Sequence, residues 1–157
     1  MSIRRILRAG AVVLLAMAAH GCATTAPPPV AVAESGEHNP VVAAAAGVVG
    51  APYRYGGSTP RGFDCSGLVH YAHGRAGIAV PRTTEAQLQR ARPVSIAHLR
   101  AGDVLFFELD GSKVSHVGIY AGAGRFIHAP STGKKVSYAS LGSPFWSRRL
   151  RGAGRFH

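Results

Sequence analysis

The distribution of hydrophobic and polar residues divides the chain into three stretches. Residues 9–19 form an unbroken run of small or apolar residues. Residues 23–40 are rich in proline and small residues, a composition that cannot build a core and is typical of a flexible tether. Hydrophobic residues with helical and then strand-like spacing follow to the C-terminus, so we expect one folded domain over residues 41–157.

Within this domain the hydrophobic spacing predicts helices first and strands afterwards. The expected helices cover residues 40–49, residues 65–77 and a stretch after Thr84, where Thr84 and Gln87 have the spacing of a capping box. Short β-rich segments split by glycine-containing turns are expected at residues 103–109, 114–120, 125–129 and 135–138, with one more strand in residues 146–151. This order predicts an α+β fold in which N-terminal helices pack on a central antiparallel sheet.

The N-terminal apolar run has the features of an export signal. Residues 1–8 contain three arginines and no acidic residue, and the apolar run after them is shorter than the roughly 20 residues that a membrane-spanning helix needs. We therefore expect a signal peptide over residues 1–21. A buried first helix is the alternative, but such a helix is rarely apolar on every side with basic residues only at its start.

Cys22 directly follows the apolar run, after a glycine. A small residue before a cysteine at this position resembles the lipobox of bacterial lipoproteins, in which the signal is cleaved before the cysteine and the thiol is lipidated. The match is incomplete, because Ala19 stands where leucine is usual and His20 is unusual. Lipidation would make residues 22–40 a lipid-attached tether, and Ala23 favours a periplasmic protein anchored in the outer membrane. A plain cleaved signal is the alternative.

Net charge and cysteine number narrow the range of partners. Formal net charge is +11, and subtracting the three arginines of residues 1–21 leaves +8 for the mature chain. A basic balance favours nucleic acid, anionic lipid or wall polymer as partners, and export argues against nucleic acid. In an oxidising compartment Cys22 and Cys65 could form a disulfide, whereas lipidation of Cys22 would leave Cys65 as a thiol.

Cys65 stands in the sequence Asp64-Cys65-Ser66-Gly67, at the expected junction of a loop and a helix. The N-terminus of a helix presents unpaired N–H groups and the positive end of the helix dipole, which stabilise a thiolate and lower its pKa. Since the thiolate is the nucleophilic form, this position predicts a reactive cysteine. A lone cysteine is otherwise more often a small buried hydrophobic residue.

Two of the eight histidines lie in strand-like segments joined by a short glycine-rich turn. A three-residue turn that pairs Tyr120 with Gly124 would place His116 directly opposite His128 on one face of the sheet, with side-chain roots about 4.5–5.5 Å apart. A turn of even length would place them on opposite faces. Cys65, His116 and His128 would then supply a nucleophile, a base and a residue that orients the base.

A zinc site built from Cys65, His70 and His73 fits the sequence less well. At about 100° per residue, both histidines fall away from the apolar side of the helix that Cys65 shares, so they are expected to face outward. Tyr53 in the preceding loop could donate its hydroxyl to an oxyanion beside the backbone N–H of Cys65. From spacing alone, packing within the loop is the simpler interpretation of Tyr53.

Five motifs, in chain order, resemble those of the NlpC-type cell-wall peptidases. They are Pro52-Tyr53-Arg54-Tyr55-Gly56-Gly57, Asp64-Cys65-Ser66-Gly67, Ala101-Gly102-Asp103-Val104-Leu105-Phe106-Phe107, Ser115-His116-Val117-Gly118-Ile119-Tyr120 and Ile127-His128-Ala129. The resemblance covers residues 41–138. It implies a papain-like α+β fold, and hydrolysis of peptide bonds in peptidoglycan stem peptides or crosslinks without a metal or other cofactor.

The resemblance also implies roles for individual residues. Cys65 would be the nucleophile, His116 the base and His128 the third polar residue of the site. The same resemblance raises Tyr53 from a packing residue to an oxyanion donor.

Asp64 and Ser66 flank the nucleophile where family members contact the stem peptide, so they are candidate substrate-binding residues. Peptidoglycan is the expected partner, together with the membrane through lipidated Cys22. No nucleic-acid partner is expected, and the chain is expected to be a monomer. Two other functions stay open, namely a non-catalytic wall-binding lipoprotein with this fold and an amidase or acyltransferase that uses the same thiol. An inactive adaptor would be expected to lack Cys65 or His116, and both are present.

Overall fold

The computed structural model describes residues 38–111 and 113–156. The expected signal peptide at residues 1–21, Cys22 and nearly all of the expected tether lie outside these residues. Among the helices in the described part of the chain, none is long and apolar enough to cross a membrane.

The described residues form four α-helices and eight strands, with one turn of 3₁₀ helix at Ile96–His98. The helices are α1 (Pro40–Ala46), α2 (Cys65–Arg75), α3 (Thr84–Arg90) and α4 (Pro144–Ser147). The strands are β1 (Ser58–Thr59), β2 (Gly62–Phe63), β3 (Arg92–Val94), β4 (Val104–Phe107), β5 (His116–Gly122), β6 (Arg125–His128), β7 (Ser137–Ser140) and β8 (Leu150–Arg155). The expected α+β class is confirmed.

Six strands form one antiparallel sheet in the order β3-β8-β4-β5-β6-β7, and β1 and β2 form a separate two-stranded hairpin before α2. The strand predicted over residues 146–151 was wrong in position, because Pro144 starts α4 there and the strand begins only at Leu150. The sequence did not predict β3. Pro93 is tolerated in β3 because this strand lies at the edge of the sheet.

The two faces of the sheet carry separate hydrophobic clusters. The residues of the face that packs against α1 and α2 include Val104, Phe106, Val117, Ile119 and Ile127. The residues of the opposite face include Leu105, Phe107 and Phe126, and Trp146 of α4 packs against them. Because successive residues of a strand point to opposite faces, all four residues of β4 are buried.

α1 begins where the sequence predicted. The Asn39 side chain accepts hydrogen bonds from the backbone N–H groups of Val41 (3.0 Å) and Val42 (3.2 Å), and Pro40 occupies the first turn. The helix ends at Ala46 rather than at residue 49, and the chain continues in turns.

α3 begins at Thr84, but the expected capping box of Thr84 and Gln87 was wrong. The Thr83 hydroxyl caps the helix by accepting a hydrogen bond from a backbone N–H of the first turn at 3.4 Å. Gln87 is fully buried, and its side-chain amide donates to the carbonyl oxygens of Ser66 (3.0 Å) and Pro81 (2.8 Å). The bond to Ser66 joins α3 to the start of α2, and the bond to Pro81 joins α3 to the loop before it.

The turn between β5 and β6 is shorter than expected. Ala123 (φ 50°) and Gly124 (φ 69°) form a two-residue turn with positive φ at both positions, the pattern of a type I′ turn. The pairing is irregular between Tyr120 and Gly122, and Tyr120 opposes Phe126 rather than Gly124. A bulge and a shorter turn therefore replace the predicted three-residue turn.

This register corrects the expected pairing of His116 with His128. Ile119 opposes Ile127, so the pairing is shifted by two residues and the two histidines are not directly opposite. A shift of two residues preserves the face to which each side chain points. Both imidazoles therefore still lie on the same side of the sheet.

Candidate active site

α2 starts at Cys65 because Asp64 caps it. The Asp64 backbone is extended (φ −89°, ψ 176°), and its carboxylate accepts a hydrogen bond from the Gly67 N–H at 2.7 Å. Cys65 is therefore the first helical residue, where backbone N–H groups lack partners within the helix. Its side chain is a free thiol.

Gly67 is needed at this helix start because the preceding loop packs directly on it. A Cβ at position 67 would overlap the carbonyl oxygen of Gly57. The same loop is bonded to Asp64, whose carboxylate accepts from the Gly56 N–H at 2.9 Å and whose own N–H donates to Gly57 at 3.0 Å. These contacts hold the loop beside Cys65.

Arg82, which no sequence signal indicated, holds the Asp64 carboxylate. Its guanidinium donates to both carboxylate oxygens, at 2.9 and 2.7 Å, and also to Ser66 Oγ at 3.1 Å and to the Gly57 carbonyl at 3.1 Å. The hydrogen bonds from Arg82 to Asp64 raise the pKa of Arg82. Residues 18 positions apart share no sequence periodicity, so only the fold reveals this pair.

The Cys65 thiol lies beside several hydrogen-bonding groups. Thr84 Oγ1 is 3.8 Å from the sulfur, and the backbones of Val117 and Ser66 also interact with it. Burial raises the pKa of the Cys65 thiol, and these hydrogen bonds offset only part of that effect. The pKa lowering expected from the helix N-terminus is therefore not the net result, and the resting thiol is protonated.

His116 and His128 form a buried hydrogen-bonded pair, called here the histidine pair. His116 Nε2 and His128 Nδ1 are 2.9 Å apart, and the two residues are only 2% and 4% exposed. Burial lowers the pKa of His128 to about 4. Burial and the charge of His128 lower the pKa of His116 to about 3. Both imidazoles are neutral at neutral pH, which is the form that accepts a proton.

One cleft of about 510 Å³ brings most of the predicted site residues together. The predicted residues that line it are Tyr53, Asp64, Cys65 and Ser66. Arg82 and Thr84 also line the cleft, and Ser115 joins from the sheet side, directly before His116. Its volume lies within the roughly 300–1,000 Å³ that is typical of ligand pockets.

Tyr53 is half-buried in the wall of this cleft. Its backbone N–H donates to the Lys134 carbonyl at 2.9 Å, and it forms a β-bridge with Phe63, so its backbone is fixed on two sides. Burial raises the pKa of Tyr53, and the nearby Asp64 carboxylate adds to this. The phenol therefore keeps its proton and can donate a hydrogen bond into the cleft.

The two histidines of α2 do not line the cleft. His70 is exposed, and its Nδ1 is 2.7 Å from the Val80 carbonyl. The expectation that His73 faces outward was wrong, because the C-terminal segment covers that side of α2. His73 is fully buried, with Nδ1 2.9 Å from the Val69 carbonyl and its ring edge-on to Phe156. Within residues 38–111 and 113–156, no group of three His, Cys, Asp or Glu residues is placed to hold a metal ion.

Comparison with known sequences gives matches over the whole cleft. Residues 50–155 match the model of the NlpC/P60 family. The murein DD-endopeptidase MepH of Escherichia coli (strain K12) is 45% identical over 112 residues, which are 68% of this chain and 41% of that protein. The gamma-DL-glutamyl hydrolase of Bacillus subtilis (strain 168) is 45% identical over 120 residues, which are 74% of this chain and 29% of that protein.

A solved structure gives the same result for the fold. A Staphylococcus aureus (subsp. aureus Mu50) protein of the NLP/P60 family, described as similar to lipoprotein, has a TM-score of 0.68 and 35% sequence identity. The match covers 78% of this chain and 41% of that chain. This chain thus spans less than half the length of each of these three relatives. The family resemblance seen in the five motifs is confirmed, and the chain belongs to the NlpC/P60 family.

Proposed function

We propose that this protein is a cell-wall thiol endopeptidase that hydrolyses peptide bonds in peptidoglycan stem peptides or crosslinks. The observation that carries this proposal is the free Cys65 thiol at a helix N-terminus, in a cleft lined also by Ser115, the residue directly before His116 of the buried histidine pair. Family membership and the names of two relatives, a murein DD-endopeptidase and a gamma-DL-glutamyl hydrolase, support the substrate class.

In the proposed reaction His116 is the general base. Its imidazole is neutral in the resting protein, so it can accept the Cys65 proton while the sulfur attacks the scissile carbonyl carbon. Proton transfer accompanies C–S bond formation, because the buried thiol favours its protonated form until attack begins. The carbonyl oxygen becomes an oxyanion, to which the Tyr53 hydroxyl and the backbone N–H of Cys65 donate hydrogen bonds.

The tetrahedral intermediate then collapses as the C–N bond breaks. The His116 imidazolium gives its proton to the leaving amine, and an acyl thioester remains on Cys65. His116 next takes a proton from a water molecule as that water attacks the thioester. The acid product leaves, and the thiol regains its proton. In both halves His128 orients the His116 ring through their 2.9 Å hydrogen bond and stabilises its charged form.

Asp64 and Ser66 are the proposed substrate contacts. The Asp64 carboxylate already accepts hydrogen bonds from the loop, from α2 and from Arg82, so its contribution is to present Arg82 at the cleft. The Ser66 hydroxyl lies 3.1 Å from the Arg82 guanidinium. A hydroxyl beside a guanidinium suits a carboxylate group of the stem peptide, because a charge-assisted hydrogen bond is stronger than a neutral one.

We also propose that the protein is exported and anchored in the outer membrane through lipidated Cys22. The basic start, the apolar run and the small residue before Cys22 support this, and one structural relative is described as similar to lipoprotein. The net charge of +8 after removal of residues 1–21 suits an anionic wall or membrane surface. Cys22→Ala is expected to release the protein from the membrane fraction without changing its chemistry. Loss of intrinsic activity in this variant would contradict the tether.

Digestion of purified peptidoglycan, followed by mass spectrometry, tests the reaction. The wild-type protein is expected to create new amine and carboxyl ends in the stem peptides. Fragment masses distinguish cleavage of the D-glutamyl to diamino-acid bond from cleavage of the D-alanyl crosslink. Cys65→Ala is expected to abolish cleavage, and His116→Ala is expected to slow it about 10²–10⁴-fold.

His98→Ala is the matched control for the histidine substitution, because His98 is exposed and outside the cleft. It is expected to retain the wild-type rate, and far-UV circular dichroism checks that each variant is folded. Full activity of folded Cys65→Ala would refute the proposal. Intact stem peptides with altered acylation would favour an acyltransferase instead.

A further inference from the structure

Trp146, the single tryptophan of the chain, contacts both members of the histidine pair. Its ring stacks on His116, with ring centroids 5.6 Å apart and an interplanar angle of 29°. It meets His128 edge-on, with centroids 4.9 Å apart and planes at 86°. Because the two imidazoles are themselves nearly perpendicular, at 88°, one indole ring contacts each of them with a different geometry.

Two phenylalanine rings complete an apolar enclosure around the histidine pair. The centroid of the Phe107 ring lies 5.0 Å from that of the indole and 6.2 Å from that of the His116 imidazole. The centroid of the Phe126 ring lies 5.1 Å from those of both the indole and the His128 imidazole. Gly118 makes room for this ring, because a Cβ there would overlap the Phe126 side chain. The hydrogen bond between the imidazoles is therefore surrounded by aromatic carbon.

We propose that Trp146 is a positioning residue for the base, an inference that rests on the role proposed for His116. Stacking fixes the plane of the His116 imidazole while Nε2 is bonded to His128, so Nδ1 is held in one direction for proton transfer. The indole also keeps water from the hydrogen bond within the pair. Both effects act on the reaction through His116, without contact between Trp146 and the substrate.

Backbone hydrogen bonds fix the segment that carries Trp146. The backbone N–H of Trp146 donates to the Ser143 carbonyl at 3.0 Å. The backbone N–H of Glu108 donates to the Arg149 carbonyl at 3.0 Å, and this bond ties the chain after α4 to the end of β4. The Arg149 guanidinium lies 4.0 Å above the Phe145 ring. Phe145 is 48% exposed and contacts the indole edge-on, at 5.0 Å. It therefore covers Trp146 from the solvent side.

Hydration is the main influence on the protonation of the histidine pair, because the groups described around the pair are uncharged or already paired. The Cys65 thiol on α2 is protonated, so it adds no charge to these surroundings. Phe107 of β4 and Phe126 of β6 are uncharged. After α4, the Arg149 guanidinium lies over the Phe145 ring. Glu108, after β4, forms an ion pair with Arg151 at 2.8 Å. Removal of the indole admits water, which favours the imidazolium, so the pKa of His116 should rise.

Trp146→Ala and Trp146→Phe test this inference, with Ser147→Ala as the matched control, because Ser147 is an exposed residue of the same helix. NMR follows the Cε1–H resonance of His116 against pH, assigned by its loss in His116→Gln. In wild-type protein and Ser147→Ala, His116 should stay neutral until the protein unfolds in acid. In Trp146→Ala it should titrate at least about one pH unit higher, a roughly tenfold gain in proton affinity.

Steady-state cleavage of stem peptides supplies the second measurement. For Trp146→Ala we expect kcat to fall about 10–100-fold with KM within about twofold of wild type, and for Trp146→Phe an intermediate fall. The inference is overturned if the titration and kcat of Trp146→Ala match those of Ser147→Ala. It is also overturned if kcat falls without a shift in the titration, because that indicates a structural role only.

If Trp146→Ala does not fold, Trp146→Phe decides by the same two measurements, and behaviour identical to wild type overturns the inference. The NMR measurement needs no substrate. A protein that cleaves no peptidoglycan but shows the shifted titration would therefore refute the proposed reaction while supporting the part played by Trp146.

Discussion

Acidification from about pH 6.5 to 4.5 is expected to destabilise the folded protein through the histidine pair. Burial lowers the pKa of His116 to about 3 and of His128 to about 4, whereas an unfolded histidine titrates at about 6.5. Between these values the unfolded chain binds protons that the folded protein does not, so the free energy of unfolding falls with pH. The stabilisation is complete above about pH 6.5 and is lost as the pH approaches the folded-state values.

The burial of the pair sets the magnitude of this effect. One pH unit corresponds to about 1.4 kcal/mol for each histidine that protonates only on unfolding. Two such residues lower the free energy of unfolding by up to about 3 kcal/mol per pH unit, and by roughly 5 kcal/mol between pH 6.5 and 4.5. Since a domain is stable by only about 5–15 kcal/mol, this is a large part of the total. Asp and Glu titrate mostly below this window, at about pH 4.

Urea unfolding between pH 4.5 and 7.5 measures the effect, with Trp146 fluorescence and circular dichroism as probes. His128→Gln removes one titrating group and keeps a polar partner for His116, so it should lower the slope of unfolding free energy against pH by up to about 1.4 kcal/mol per pH unit. His98→Gln alters an exposed histidine and should leave the slope unchanged. Equal stability at pH 5 and pH 7 in wild-type protein, or an unchanged slope in His128→Gln, would refute the reasoning.

Three further experiments address the cleft. Tyr53→Phe should lower kcat about 10²–10³-fold without loss of fold, and an unchanged kcat would remove Tyr53 from the oxyanion site. Gly67→Ala should destabilise the protein by about 1–3 kcal/mol in thermal unfolding, because its Cβ would overlap the loop. Gly74→Ala in the same helix has open space and should stabilise it by about 0.5–1 kcal/mol, so equal effects would contradict this explanation. Iodoacetamide should alkylate Cys65 in Cys22→Ala protein with a midpoint above the ordinary thiol value of about 8.5, and a midpoint below about 7 would indicate a resting thiolate.

Local sequence chemistry predicted where α1 and α2 begin. Asn39 and Asp64 are capping residues directly before α1 and α2, and their side chains bond to the first-turn N–H groups a few positions away. The face of a strand residue is equally local, because it depends only on a period of two. The shared face of His116 and His128 was therefore predictable, and it survived a two-residue change of register. The register itself depended on a bulge and on positive φ at Ala123, neither of which the sequence indicated.

The groups that surround the nucleophile and the base could not be predicted in the same way. Arg82 reaches Asp64 across 18 residues, and Trp146 reaches His116 across 30. Both contacts depend on how α3 and α4 pack, and no periodic pattern encodes that. The sequence predicted a strand around Trp146, whereas Pro144 starts a helix there. The packing of Trp146 against the sheet face that carries Phe107 and Phe126 was therefore not predicted.

The resting charges explain why the surroundings of the nucleophile differ from those of the histidine pair. A thiolate–imidazolium pair beside the apolar enclosure would lose much of its hydration, and that loss is worth several kcal/mol for each buried ion. Burial instead keeps Cys65 and the histidine pair neutral, so folding does not require buried charges there. In the proposed reaction charge develops only when a substrate carbonyl is present. The Tyr53 hydroxyl and the helix N-terminus then face the new negative charge, and His128 bonds to the imidazole that becomes positive. In this proposal the aromatic enclosure sets the direction and neutrality of the base before attack, and the polar groups of the cleft stabilise the charges that attack creates.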